Sequence, residues 1–118
     1  MIRAVLFAQL QTAILGPTYD LSVAFLSPAQ MRAVTKRTKN KNKASNVLAF
    51  PLSKNSGEIL LCKETARSEA KKYRMTERTY LAFLFIHGLL HLRGMDHGDT
   101  MEDEERRIMQ QFGLRPNE

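Results

Sequence analysis

The segment YLAFLFIHGLLHLRGMDH, residues 80–97, decides the fold of this chain. Its first part, YLAFLFIHGLLHL, is apolar on nearly every side of a helix, which is typical of a helix buried at the centre of a small protein. Thr76, with Thr79 three residues further on, predicts the N-terminal cap of this helix. Gly94 predicts its end, because a glycine just past the last turn can adopt the left-handed conformation that other residues resist. We therefore expect the remaining elements to pack around this central helix.

The same segment holds all three histidines of the chain, His87, His91 and His97. A separation of four places His87 and His91 on one face of the helix, about one turn apart, so that two imidazole nitrogens can reach one ion. The chain reversal at Gly94 then brings His97 back towards them. Three imidazoles that leave a fourth position open are the arrangement in which zinc acts as a Lewis acid and activates water. The sequence therefore predicts an open site for one Zn2+ per chain.

A histidine on an apolar helix is more often a hydrogen-bonded core residue than a metal ligand, and this interpretation has to be weighed. It would require every histidine of the chain to cluster by accident at the spacing of tetrahedral zinc sites. A closed structural zinc site usually needs four protein ligands, often thiolates, and the only cysteine, Cys62, lies far upstream. One cysteine also excludes an internal disulfide, so we expect Cys62 to be an inert core residue in a reducing, cytoplasmic setting.

The length of 118 residues favours one domain, residues 1–118, with a single hydrophobic core. Hydrophobic residues make up 43% and charged residues 25% of the chain, which is typical of a soluble globular protein. No apolar run reaches the roughly 18 residues of a membrane helix. Gln9, Gln11 and Thr12 interrupt the N-terminal apolar run, which therefore predicts an amphipathic helix rather than a secretory signal. We expect a cytoplasmic protein with no membrane partner.

The charge balance favours a polyanionic partner, since 18 Lys and Arg against 12 Asp and Glu give a net charge of +6. The densest basic segment is TKRTKNKNKAS, residues 35–45, which we interpret as an exposed loop. It contributes the candidate RNA-binding residues Lys36, Arg37, Lys39, Lys41 and Lys43. A solvated loop without a partner can have the same composition, but beside a hydrolytic metal site a basic loop favours capture of a phosphate backbone. The acidic run 102–105 is interpreted as structural, because carboxylates stabilise the beginning of a helix.

Periodicity and turn residues divide the chain into alternating elements. Three short apolar runs predict strands at 20–27, 45–51 and 57–62, the last two joined as a hairpin. Helices are predicted at 2–15, from Pro28, at 63–74, along the central segment and at about 100–112. A sheet of about three strands packed with about five helices makes this an α+β fold.

Two motifs resemble the YbeY family of bacterial single-strand-specific endoribonucleases, also called rRNA maturation factors. HGLLHLRGMDH, residues 87–97, resembles the family signature H-G-x-L-H-L-x-G-Y-D-H, and SNVLAFP, residues 45–51, resembles T-[ND]-V-L-S-F-P. Gly57-Glu58-Ile59 follows at the expected place. The resemblance implies a hydrolytic zinc site at His87, His91 and His97 that acts on single-stranded RNA. It also implies processing of the 3′ end of small-subunit (16S) rRNA, a role in ribosome maturation and quality control, and small-subunit ribosomal proteins as possible partners.

The chain departs from the family pattern at three points. Met95 replaces the signature tyrosine, and Lys39 stands where members usually carry an arginine, seven residues before Asn46. A lysine keeps the charge but loses the planar fork that grips phosphate with two hydrogen bonds, so Lys39, Arg37 or both are expected to stabilise the transition-state charge. Typical members begin with an extra strand before the first helix, whereas this chain is expected to start at that helix. We therefore expect a sheet that lacks the family's first edge strand.

The histidine and glycine spacing also resembles that of metzincin proteases, H-E-x-x-H-x-x-G-x-x-H. Gly88 occupies the position of the proteases' catalytic glutamate, so peptide hydrolysis is disfavoured and no general base can be assigned. Asp96 is expected to orient one of the imidazoles rather than to transfer protons. Two alternatives stay open: a zinc-stabilised ribosome assembly or RNA-binding factor with little cleavage activity, and a metal-dependent hydrolase of a peptide or small phosphate. Nickel or copper would also suit three imidazoles, and attack by water or by a 2′-hydroxyl is equally compatible with the sequence.

Overall fold

The computed structural model describes residues 2–39, 46–96 and 98–115, with the backbone alone at residues 2, 3, 38 and 39. Within these ranges the chain forms five helices and three strands, which confirms the predicted α+β fold. In chain order they are α1 (Ile2–Leu15), β1 (Asp20–Phe25), α2 (Pro28–Lys39), β2 (Val47–Ser53), β3 (Ser56–Leu61), α3 (Lys63–Lys72), α4 (Glu77–Leu92) and α5 (Asp99–Gln111).

The sheet has the order β1-β3-β2, with β1 parallel to β3 and β2 antiparallel to it. The second half of the central strand β3, residues 59–61, is apolar and buried on both faces of the sheet. The predicted hairpin is confirmed: β2 and β3 meet at a tight turn in which the backbone N–H of Asn55 donates to Oγ of Ser53 over 3.2 Å. The described residues form three strands, the number expected from the sequence.

Helices cover both faces of the sheet. On one face Met31 of α2 packs with Leu48, Leu60 and Cys62 in a small apolar cluster, so Cys62 is a buried core residue as predicted. The larger core lies on the other face, where Ile59 points towards α4, and α1, α3 and α5 add to it. Within the described ranges, no helix is both long enough and apolar enough to span a membrane.

Helix α4 lies at the centre of the larger core and has the predicted ends. Its N-cap Thr76 accepts a hydrogen bond from the backbone N–H of Thr79 at 3.1 Å. Beyond its last residue, Gly94 has a φ of +102°, and the N–H of Gly94 donates to the carbonyl of His91 at 2.9 Å. Gly88 lies close against the sheet, because a Cβ there would be 3.1 Å from Cδ1 of Ile59.

The exposed-loop prediction is wrong for residues 35–39, which form the last turns of α2. Ser27 and Gln30 begin this helix with reciprocal hydrogen bonds, 3.2 Å from the N–H of Gln30 to Oγ of Ser27 and 2.9 Å from the N–H of Ser27 to the Gln30 side chain. Thr35 is fully buried, and Val34 packs against the cluster of Leu48 and Leu60, so the C-terminal half of α2 lies against the sheet. Lysine and arginine are good helix formers, so the basic composition does not oppose continuation of the helix.

Candidate functional site

Two of the three predicted ligands meet at the C-terminal end of α4. His87 and His91, the histidine pair, are partly buried, and their Nε2 atoms lie 3.2 Å apart. The two rings are nearly perpendicular, with centroids 4.7 Å apart. The spacing of four therefore brings both imidazoles to one point on the helix surface, as predicted.

Hydrogen bonds fix the other nitrogen of each ring. Nδ1 of His91 lies 3.1 Å from the carbonyl oxygen of Met95, and a carbonyl can only accept, so this Nδ1 donates and Nε2 carries the lone pair. Nδ1 of His87 lies 2.5 Å from Oε2 of Glu105 and donates to that carboxylate. In the neutral form of each ring Nε2 is therefore the acceptor atom, and the two Nε2 atoms face the same small volume.

The donor set fits one small divalent cation. Two imidazole nitrogens bound tetrahedrally to zinc at roughly 2.0–2.1 Å lie about 3.3 Å apart, close to the 3.2 Å between these Nε2 atoms. Among the residues that the structure describes, no group of three histidine, cysteine or acidic side chains is arranged to hold a metal. His97, the third predicted ligand, lies outside the described residues. The three-histidine site therefore stays a prediction.

Glu105 is the site residue that sequence reasoning missed. It was grouped with the acidic run 102–105, yet its side chain is buried, only 6% of the residue being exposed, against His87. The signal lies in the helical period of α5, where Met101, Glu105 and Ile108 form one buried stripe. A carboxylate in an otherwise apolar stripe indicates a buried partner. Asp96, expected to orient an imidazole, is exposed, and its role stays a prediction.

Ion pairs hold α5 against the end of α4. Glu104 accepts from Arg93 at 2.9 Å and from Arg107 at 2.8 Å. These hydrogen bonds, first that of Arg107 and then that of Arg93, lower the pKa of the Glu104 carboxyl to about 2. The Arg93–Glu104 pair joins the residue after α4 to the residue before Glu105. It therefore helps to fix the position from which Glu105 reaches His87.

A row of aromatic rings extends from His87 along α4 to the end of α3. Tyr73, Tyr80, Phe83 and His87, here called the aromatic row, follow one another with centroid separations of 5.5, 6.0 and 6.5 Å. Asn46, in the second family-like motif, donates from Nδ2 to the Tyr80 hydroxyl at 3.3 Å. Burial raises the pKa of this phenol, and the bond from Asn46 opposes the rise. Asn46 thus ties the beginning of β2 to the aromatic row.

The structure describes only part of the predicted basic surface. Lys36 and Arg37 are exposed on the last turns of α2. Only the backbone of Lys39 is described, and Lys41 and Lys43 lie outside the described residues. Their predicted roles in RNA binding and charge stabilisation stay predictions.

Comparisons with known proteins agree with the two motifs. A family model described as Endoribonuclease YbeY matches residues 1–113, so the likeness includes α1 as well as the elements after residue 20. The chain is 37% identical to Endoribonuclease YbeY of Chelativorans sp. (strain BNC1), across 95% of this chain and 77% of that protein. It is 34% identical to Endoribonuclease YbeY of Listeria welshimeri, across 80% of this chain and 68% of that protein.

A solved structure shares the fold. The solution structure of TM1509 from Thermotoga maritima superposes with a TM-score of 0.68, covering 95% of this chain and 80% of that one. The sequence identity is 21%, so this likeness concerns the arrangement of helices and strands alone.

Proposed function

The chain belongs to the YbeY family, and from this premise we propose that it is a zinc-dependent endoribonuclease that cuts single-stranded RNA. The name of the matching relatives, Endoribonuclease YbeY, supports the nuclease activity. The observation that carries the metal dependence is the 3.2 Å approach of the two Nε2 atoms, each ring held through Nδ1 by a fixed acceptor. Such a pair presents two ligand nitrogens to one ion without rearrangement.

His87, His91 and His97 are the proposed zinc ligands, with one Zn2+ per chain. When bound, zinc supplies Lewis acidity at the phosphate and lowers the pKa of coordinated water. The protein orients the ligands: Glu105 holds the His87 ring and the Met95 carbonyl holds that of His91. Arg37 and Lys39 are the proposed groups that stabilise negative charge on the phosphate in the transition state.

The proposed substrate is the 3′ region of small-subunit (16S) rRNA, cut during ribosome maturation and quality control in the cytoplasm. Small-subunit ribosomal proteins are the proposed partners. The net charge of +6 supports a nucleic-acid substrate in general, because lysine and arginine side chains release counterions from the phosphate backbone.

Cleavage of end-labelled RNA tests the proposal. We expect the protein to cut a single-stranded oligonucleotide, a chelator to abolish cutting, and zinc to restore it. His91→Ala should lose at least about 100-fold in rate if the ion supplies the Lewis acidity. Metal analysis should find close to one zinc per chain and its loss in His97→Ala. Cleavage that survives both chelation and His91→Ala would refute the zinc-nuclease proposal.

The basic residues need a matched control. Arg37→Ala should slow cleavage by about 10-fold or more, whereas Arg106→Ala, which removes another exposed helical arginine, should not. Lys39→Arg should preserve or raise the rate, because the guanidinium restores a bidentate grip on phosphate. Equal rates in Arg37→Ala and Arg106→Ala, together with no loss in Lys39→Ala, would remove both residues from the mechanism.

One observation favours a second candidate, an RNA-binding assembly factor with little cleavage. The position of the protease glutamate is Gly88, and a Cβ there would meet Ile59 at 3.1 Å, so this position is packed against β3. The same packing disfavours a peptide hydrolase. Tight RNA binding by the zinc-loaded protein without any strand scission would select the assembly factor.

A further inference from the structure

The aromatic row begins at the surface. Tyr73, directly after α3, is 55% exposed, whereas Tyr80, the ring beneath it, is only 4% exposed. The rings of Tyr73 and Tyr80 are within 12° of parallel. Phe83, partly buried, continues the row to His87. A rigid stack thus supports one exposed ring and leads from it to the histidine pair.

Exposed basic residues lie close to Tyr73 in the chain. Lys71, Arg74 and Arg78 are exposed, and none of them has an ion-pair partner in the part of the chain that the structure describes. The nearby carboxylates are neutralised. Glu69 pairs with Lys72 at 3.0 Å, and Glu77 pairs with Arg67 at 3.1 Å. An exposed aromatic ring among unpaired cations is the combination that binds single-stranded nucleic acid, by base stacking and phosphate attraction.

The turn after Tyr73 places Arg74 in an uncommon backbone conformation. Its φ is +55°, in the left-handed region where glycine is favoured at the end of a helix. The turn is closed by the N–H of Met75, which donates to the carbonyl of Ala70 at 3.0 Å. Arg74 directly follows Tyr73 in the chain and is exposed, so it adds a positive charge to this part of the surface.

We propose that Tyr73, supported by Tyr80 and flanked by Lys71, Arg74 and Arg78, is a stacking subsite for an unpaired nucleobase of RNA, and that the row continues through Phe83 to the histidine pair. This proposal rests on the endoribonuclease function proposed above and adds a physical basis for single-strand selectivity. A base in a duplex is stacked on its neighbours and cannot offer its face to Tyr73, whereas an unpaired base can. The cations hold the adjacent phosphates.

Binding of short labelled RNAs to the full-length, metal-loaded protein tests the subsite. A 2′-O-methyl single strand, verified as intact by gel, separates binding from cleavage. We expect Tyr73→Ala to weaken single-strand binding about fivefold or more, the loss of one stacked base, and to leave duplex binding unchanged. Tyr73→Trp should bind as tightly as wild type or more tightly. Phe25→Ala, which removes an exposed ring from β1, is the matched control and should bind normally, because the ammonium of Lys63 already lies over that ring at 5.5 Å from its centroid.

A direct spectroscopic readout is available because the chain contains no tryptophan. The indole introduced by Tyr73→Trp would be the only one, and a base stacked on it should quench its fluorescence. We expect quenching by the single strand, little by the duplex, and none from Phe25→Trp.

The outcomes separate the two proposals. If the wild type binds and cuts single-stranded RNA while Tyr73→Ala binds equally well and the indole is not quenched, the stacking subsite is refuted and the nuclease stands. If the wild type neither binds nor cuts RNA, the proposed function fails and the subsite fails with it.

Discussion

Removal of the Glu105 carboxylate should weaken metal binding without touching a metal ligand. The carboxylate lies 2.5 Å from Nδ1 of His87 and is buried on α5. It fixes the ring so that Nε2 faces His91. Glu105→Ala would remove the carboxylate that accepts from Nδ1 and orients this ring in a partly buried site. Glu105→Gln keeps the shape and an acceptor oxygen but loses the charge.

The size of the effect follows from the contact. A charge-assisted hydrogen bond contributes about 1.5–3 kcal/mol, and loss of a carboxylate that orients a ligating histidine typically costs about 10- to 100-fold in metal affinity. We therefore expect about 100-fold weaker zinc binding in Glu105→Ala and about 10-fold in Glu105→Gln. Competition against a chromophoric chelator measures both without reference to RNA cleavage.

A matched control and a spectroscopic check keep this prediction specific. Glu102→Gln removes an exposed carboxylate from the same helix and should bind zinc as the wild type does. In metal-free protein, the nitrogen chemical shifts of His87 should report the Nδ1-protonated tautomer for the wild type and a mixture for Glu105→Ala. If zinc affinity in both Glu105 variants stays within twofold of wild type while His91→Ala loses it, the orienting role is wrong.

Four further substitutions, none of them at a proposed metal ligand, test the structure by chemical denaturation. Arg74→Gly relieves the positive φ and should raise the free energy of unfolding by about 0.5 kcal/mol; a clear loss would show that the arginine stabilises the turn. Thr35→Val should raise it by about 1 kcal/mol, because the buried Oγ1 of Thr35 has no hydrogen-bond partner among the described residues; destabilisation would reveal such a partner. Gly88→Ala should lower it by about 1 kcal/mol, since overpacking against Ile59 exceeds the gain in helix propensity; a more stable variant would mean that Ile59 yields. The carboxyl of Glu104 has a pKa of about 2 against 4.5 ordinarily, so its contribution is complete above pH 4.5 and is lost as the pH falls towards 2. Glu104→Gln should therefore lower the free energy of unfolding by about 1 kcal/mol at pH 7, a small value because Arg107 is exposed to solvent, and should have no effect near pH 2. A difference in stability that does not change with pH would exclude the ion pairs as its cause.

The sequence predicted correctly those helices and strands whose signals lie within the element itself. The apolar run, the Thr76 cap and the left-handed Gly94 define α4 within the segment itself, and the same segment brings His87 and His91 together. The hairpin was predicted correctly for a similar reason, because its two strands are neighbours in the chain. Composition alone was insufficient for residues 35–39, which continue α2 with Thr35 fully buried instead of forming a loop.

Features that join separate elements were not visible in the sequence. The contact of Glu105 with His87 spans 18 positions and depends on how α5 returns to α4. Its signal, one carboxylate in the buried stripe of α5, is hidden by the three acidic residues that precede it. The stacking of Tyr73 on Tyr80 joins the end of α3 to α4 and likewise appears only when the two helices pack. The helical period predicts which residues share one face of a helix, whereas the tertiary fold decides which faces pack together.

The turn at Gly94 explains why one departure from the family signature leaves the site intact. The left-handed glycine reverses the chain after His91 and so brings the Met95 carbonyl within 3.1 Å of the His91 ring. This contact uses only the backbone of residue 95, so a methionine in place of the tyrosine preserves the acceptor that fixes the tautomer. The Met95 side chain instead lies beside Arg93, its sulfur 3.4 Å from the guanidinium, next to the Arg93–Glu104 pair. The turn that ends α4 and the ion pair that anchors α5 therefore fix the two imidazoles from opposite sides, one through a carbonyl and the other through a carboxylate.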